Sequence, residues 1–141
     1  MSFIKDKTQS DMEKDLEQLL LKDLCSRLPY GVKILEGGVI IETLQKIEKV
    51  SKTLHIVNGC GESIGGGFSI SQVKPYLRPI SSMTEEEKDY YDSMFIEVEG
   101  DYFAMFPTTV IDYLNSHHFD YRGLIPMGLA LEAKEGMYET K

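Results

Sequence analysis

The stretch Ser10-Asp11-Met12-Glu13-Lys14-Asp15-Leu16-Glu17-Gln18-Leu19-Leu20-Leu21-Lys22-Asp23-Leu24-Cys25-Ser26-Arg27-Leu28-Pro29-Tyr30-Gly31-Val32-Lys33-Ile34-Leu35 decides the fold class, because its hydrophobic period changes once, at Pro29. Ser10 to Glu13 has the spacing of a capping box, in which a hydroxyl accepts an orphan backbone N–H and the glutamate reaches back to the cap. Met12, Leu16, Leu19, Leu20, Leu24 and Leu28 recur at steps of three and four, so they share one stripe. The spacing predicts an amphipathic helix over 11–28, ended by Pro29 and Gly31, with Cys25 as a small core residue beside Leu24. From Val32 the period is that of strands: Val32–Leu35, a Gly37-Gly38 turn, Val39–Ile47 and Thr53–Val57. Val39–Ile47 is long for one strand and predicts a bend or bulge, with helix over 42–50 as the rival.

Working outward, residues 58–67 hold five glycines and predict a mobile loop before a short strand at Phe68–Ile70. The prolines of Val73-Lys74-Pro75-Tyr76-Leu77-Arg78-Pro79 keep that segment out of helix. Thr84-Glu85-Glu86-Glu87 is a second capping box, with three carboxylates where the helix dipole favours them, opening a helix to about Met94. Phe95–Val98 and Tyr102–Met105 flank Glu99-Gly100-Asp101 as a hairpin. Pro107 ends the second strand, and Thr108 or Thr109 caps a short helix through Val110, Ile111, Leu114 and His117. Phe119–Ala133 is apolar, punctuated by Gly123, Pro126 and Gly128. The expected fold is α+β in a single domain, with 1–10 disordered. The N-terminal helix lies on a small bent antiparallel sheet or SH3-like barrel of residues 31–78, followed by an acidic helical and hairpin section over 84–133.

At 141 residues, with 15 Lys+Arg against 23 Asp+Glu, the net charge is −8, and it is unevenly placed. Residues 1–28 carry −1, 29–80 carry +2 and 81–141 carry −9. A surface of one sign steers the opposite sign and repels its own, so the last third disfavours nucleic acid. A phosphate reader would have to use Lys46, Lys49, Lys52, Lys74 and Arg78 with Tyr30 and Tyr76, and a net +2 is far from a basic stripe. Two cysteines are too few for a disulfide framework or a four-thiolate zinc site. The absence of an apolar run of about 18 residues and the polar start point to a cytoplasmic protein with no membrane partner.

The catalytic motifs weigh less than their plain readings. Gly61-Glu62-Ser63-Ile64-Gly65 spells G-x-S-x-G, but it leads into a strand. Asp120 has no later histidine, so the Ser, acid, His order falls back on an earlier aspartate such as Asp101 with His117 or His118. Gly59 and Gly61 begin a G-x-G-x-x-G that fails at Ile64. Cys60 lacks the neighbouring cations that would activate it. His117-His118-Phe119-Asp120-Tyr121-Arg122 is the densest polar cluster. Adjacent helical histidines point about 100° apart, which opposes a shared metal. The plainer reading is a histidine capping the helix C-terminus and Asp120 paired with Arg122 to pin the next turn. Eleven of the fourteen aromatics lie from Tyr76 onward, and Tyr102, Phe103 and Phe106 on a two-faced hairpin leave an acidic, aromatic patch suited to protein contact.

Three strings, Lys22–Val32, Val73–Thr84 and His118–Pro126, are similar to the landmarks of a family of short proteins encoded by gut Bacteroidetes and their bacteriophages or other mobile elements. The likeness runs from Lys22 to Ala133, with 34–69 as the variable part. It implies a bacterial or phage cytoplasmic origin and brings no catalytic residue. It also directs attention to Tyr30, Lys74, Tyr76 and Arg78, and to His118, Asp120, Tyr121 and Arg122, as candidate binding positions. The expectation is a non-enzymatic binding or adaptor protein acting through its acidic, aromatic surface on a protein partner or a second copy of itself, with no cofactor and no metal. The rivals are a small metal-dependent or serine hydrolase using His117, His118, Asp120 or Ser63, and weak nucleic-acid binding through residues 31–78.

Overall fold

In the computed structural model of the chain, which describes residues 8–38, 40–44, 47, 53–54 and 68–138, helix α1 spans Gln9–Arg27. It starts earlier than the Ser10 box predicts. Thr8, in extended backbone, accepts the Asp11 N–H on Oγ1 at 3.2 Å, so the same three-residue spacing operates two positions upstream. The stop is as expected: Leu28–Tyr30 tighten into a 3-10 turn, and Gly31 takes the left-handed backbone (φ 70°) that only glycine adopts without steric cost.

The buried face of α1 is Leu20, Asp23, Leu24 and Arg27, while Met12, Leu16 and Cys25 are exposed. Cys25 is therefore not the core residue its neighbour suggested. It lies about 100° round the helix from Leu24, and Asp23 and Arg27 fill the positions flanking that leucine. Arg27 Nε donates to Asp23 Oδ2 at 2.8 Å, with both side chains wholly buried. A paired charge in a core is tolerated where a lone one is not.

The chain divides into two compact units, Met1–Pro75 and Tyr76–Lys141. In the first, α1 packs on the 3-10 turn Ile70–Gln72. Strand β1 (Lys33–Glu36) pairs antiparallel with β2 (Ile40–Thr43), Leu35 opposite Ile41, around the Gly37-Gly38 turn. β1 also pairs antiparallel with the first residues of β5 (Val73–Leu77), Ile34 opposite Pro75. The prolines that forbid helix thus leave a strand. β3 (Thr53–Leu54) and β4 (Phe68–Ser69) form a separate antiparallel pair. Leu20, Leu24, Val32, Ile34, Leu44, Ile70 and Val73 make the apolar interior. The α+β class holds, but the described strands close no barrel. Glu42 and Thr43 are strand. Leu44 and Ile47 are neither strand nor helix, while residues 45–46 and 48–50, the glycine loop over 58–67 with Cys60 and Ser63, and the lysines at 46, 49 and 52 lie outside the described residues.

The second unit begins with Tyr76 and Leu77 pairing in parallel with β8 (Leu131–Glu132). Helix α2 (Glu85–Ser93) opens on the predicted capping box. Strands β6 (Phe95–Val98) and β7 (Asp101–Ala104) form the predicted hairpin, Ile96 opposite Phe103. Its two-residue turn places both Glu99 and Gly100 at positive φ, the pattern of the tight turns that match strand twist. Helix α3 (Pro107–Ser116) takes Phe106 rather than a threonine as its N-cap, because Pro107 already supplies the first helical φ and has no N–H to satisfy. Met94, Val110, Leu114 and Phe119 form the core, with Tyr91, Phe95, Ala104 and Tyr113 packed against it.

Two outcomes follow for the first unit. Arg27→Ala should lower unfolding stability by about 3 kcal/mol in urea titrations, because it strands the Asp23 carboxylate in the core. Glu36 is 1% exposed, and among the described residues neither carboxyl oxygen has a hydrogen-bond partner. Burial first, and then the Glu42 charge, raise its pKa above 4.5. A raised carboxyl pKa favours the folded state at low pH and costs stability as pH climbs through the folded value. Glu36→Gln should therefore stabilise the protein at pH 7, and the gain over wild type should vanish below about pH 4.5 in thermal melts.

Candidate functional site

Three segments of the second unit converge on one carboxylate. Glu87 is the third residue of α2, so its N–H binds Thr84 Oγ1 at 3.1 Å and its Oε1 accepts the Thr84 N–H at 3.0 Å. The same group receives both terminal nitrogens of Arg78, Nη1 to Oε2 at 2.8 Å and Nη2 to Oε1 at 2.7 Å. That is the bidentate fork geometry for which guanidinium is shaped. His117, the C-cap of α3, brings Nδ1 to Glu87 Oε2 at 3.2 Å. The Arg78 hydrogen bonds above all, helped by the Thr84 cap, hold the Glu87 carboxyl down at about 2 against the desolvation that opposes them. Glu87 is thus a carboxylate throughout the neutral range, and His117 Nδ1 is the donor in their contact.

The guanidinium of Arg78 also lies over the Phe119 ring, 4.3 Å from its centre. Phe119 is held there by backbone bonds: Arg78 N–H donates to His118 O at 2.7 Å, and Asp120 N–H to Arg78 O at 2.8 Å. α3 ends in a Schellman motif. Phe119 N–H reaches Leu114 O at 2.9 Å and His118 N–H reaches Asn115 O at 3.1 Å, with His118 itself at φ 63°. A histidine in this usual glycine position is strained by about 1 kcal/mol. Its ring lies stacked 3.7 Å from Tyr138, whose hydroxyl donates to Tyr76 O at 2.7 Å.

Beside this network lies an open cavity of about 790 Å³. Its walls are Thr84 and the glutamates of the first turn of α2 on one side, and the rings of Tyr90, Tyr113 and His117 on the other. The rings form a ladder, Tyr90 to Tyr113 at 5.0 Å and Tyr113 to His117 at 4.4 Å between centres. Tyr113 donates to Glu87 O at 3.4 Å. Burial, and then the Glu87 charge, raise its pKa, so it stays a neutral phenol.

The candidate positions read from sequence separate into distinct places. In the first unit Tyr30 and Lys74 are exposed. In the second, Tyr76 is buried, and Arg78 is committed to Glu87 and Phe119 rather than to phosphate. Asp120 does not pair with Arg122. Its two oxygens accept the N–H groups of Leu124 at 2.8 Å and Ile125 at 2.9 Å, an arrangement that pins the turn from the backbone side. Arg122 instead donates to the Tyr121 hydroxyl at 3.2 Å, and Tyr121 donates to Asn115 Oδ1 at 2.9 Å. His117, His118 and Asp120 therefore face three different partners, and among the described residues no three His, Cys, Asp or Glu side chains gather in a metal-holding group. Sequence reading missed Glu87, Tyr90 and Tyr113 as site residues. The capping-box spacing marked Glu87, but nothing local announces that its carboxylate also receives Arg78.

Because the Glu87 pKa falls from 4.5 to about 2 on folding, its pairing stabilises the protein above pH 4.5, and that stability is lost as pH drops through the folded value. Glu87→Gln should cost about 3 kcal/mol at pH 7, since each tenfold gain in acidity on folding corresponds to roughly 1.4 kcal/mol. The gap to wild type should close between pH 4.5 and about 2 in denaturant titrations, the opposite pH sense to Glu36→Gln. No family model, no curated protein and no solved structure matches this chain.

Proposed function

We propose that the chain is a non-enzymatic binding protein whose β6–β7 hairpin docks a basic, apolar-bearing segment of a protein partner. The observation that carries this reading is the outer face of the hairpin. Strand alternation puts Phe95 and Ala104 against the core and turns Ile96, Val98 and Phe103 away from it. All three are exposed, Phe103 by 53%, and Met105 and Phe106 continue the apolar surface. Contiguous apolar exposure rimmed by polar groups marks contact surfaces in soluble domains. The rim here is of one sign. Glu97, Glu99 and Asp101 are exposed within residues 95–106, which contain no lysine or arginine. Such a face excludes acidic partners and steers basic ones. The bacterial or phage origin that the family likeness implies would make the chain an accessory factor acting on another protein.

A labelled peptide alternating lysine and leucine, with its glutamate–leucine counterpart as control, tests the reading by fluorescence anisotropy. The basic peptide should bind in a salt-sensitive manner, and an Ile96→Ser/Phe103→Ser variant, its fold checked by circular dichroism, should weaken binding about tenfold or more. Equal binding of the acidic peptide, or unchanged binding by the variant, overturns it. Sedimentation of the protein alone completes the test, since a concentration-dependent mass abolished in the same variant would assign the face to a second copy of the chain and overturn the partner proposed here.

A further inference from the structure

We infer that the cavity at the start of α2 is a guanidinium site that holds one arginine side chain of the basic partner. The inference rests on the protein-recognition reading above and adds a specific residue to it. Anions are disfavoured there by the carboxylates of the first turn of α2. The Thr84 and Glu87 amides are closed into the capping box, and the Arg78 charge is matched on both terminal nitrogens by Glu87. Glu85 and Glu86 are exposed at the rim, and the only basic group among the described lining residues is the His117 imidazole. A cation entering the cavity meets two carboxylates without partners of opposite charge in its wall, and the rings of Tyr90 and Tyr113, whose quadrupoles attract positive charge. Tyr113 adds no competing charge, since it remains a phenol.

Arginine fits better than lysine. The unit already holds one guanidinium by the same means: Arg78 lies between the Glu87 carboxylate and the Phe119 ring, 4.3 Å from the ring centre. A planar guanidinium can stack on a ring while its edge meets a carboxylate, which a compact, strongly hydrated ammonium does less well.

The probe is Nα-acetyl-arginine methylamide, followed by amide shifts in 1H–15N spectra of the full chain, with the isosteric, neutral citrulline analogue as control. Saturable shifts are expected over residues 84–90 and 113–117, with a dissociation constant of about millimolar order. The Glu85→Gln/Glu86→Gln variant, altered only at exposed positions, should weaken binding about fivefold or more, and Tyr90→Leu should weaken it as well. Absence of saturable shifts up to about 50 mM probe, an equal response to citrulline, or unaltered binding by the double variant overturns the site. The probe carries no apolar segment and the hairpin variant spares the cavity. Failure of the arginine probe with intact peptide binding removes the cavity alone, and loss of peptide binding with an intact arginine response removes the hairpin reading alone.

Discussion

The second unit depends on the Glu87 carboxylate being ionised and fully occupied. One group closes the N-terminus of α2, receives both arms of Arg78 and accepts from His117 at the end of α3. Such sharing suits a short domain, since three segments are aligned by one side chain rather than by a large interface. The coupling extends into the core, because the guanidinium that Glu87 orients lies on Phe119, and Phe119 packs with Met94, Val110 and Leu114. Desolvation alone would push a buried carboxyl up. That Glu87 goes down shows the hydrogen bonds from Arg78 outweighing it.

The first unit handles buried charge differently. Asp23 and Arg27 solve the problem locally, four residues apart on α1, so their pairing needs no other element to be in place. Glu36 sits on the buried side of β1, where strand alternation places it with Ile34, and its two oxygens have no hydrogen-bond partner among the described residues. Alternation is indifferent to residue type, so a glutamate at an inward position goes in with its neighbours and takes the neutral form more readily. The two units thus carry carboxyl groups displaced in opposite directions for opposite reasons, a good partner in one case and the lack of one in the other.

The functional reading follows from where polar groups are used up. His117, His118, Asp120 and Arg78, residues that invite a catalytic or phosphate-binding interpretation, spend their side chains on ring stacking, on backbone amides and on the Glu87 carboxylate. Among the groups facing solvent in the second unit are the apolar outer side of the hairpin and the carboxylates around it and at the start of α2. A surface of that composition is suited to recognition.

Local physics was legible in the amino-acid sequence: the second capping box, the Gly31 stop, the Gly37-Gly38 and Glu99-Gly100 turns, the α+β class and the acidic bias of the last third all depend on contacts within a few residues or on simple counting. Tertiary structure decided what required distant residues to meet. It turned Arg27 rather than Cys25 into the core, left the described strands without closing a barrel and gave Arg78 to Glu87, whereas the Thr8 cap of α1 and the Asp120 turn are local contacts in which one of several similar spacings was chosen. A hydroxyl three residues from an amide announces itself by spacing. A guanidinium nine residues from its carboxylate, or an imidazole thirty residues from it, does not, because chain separation of that size leaves the partner undetermined until the intervening segments have packed.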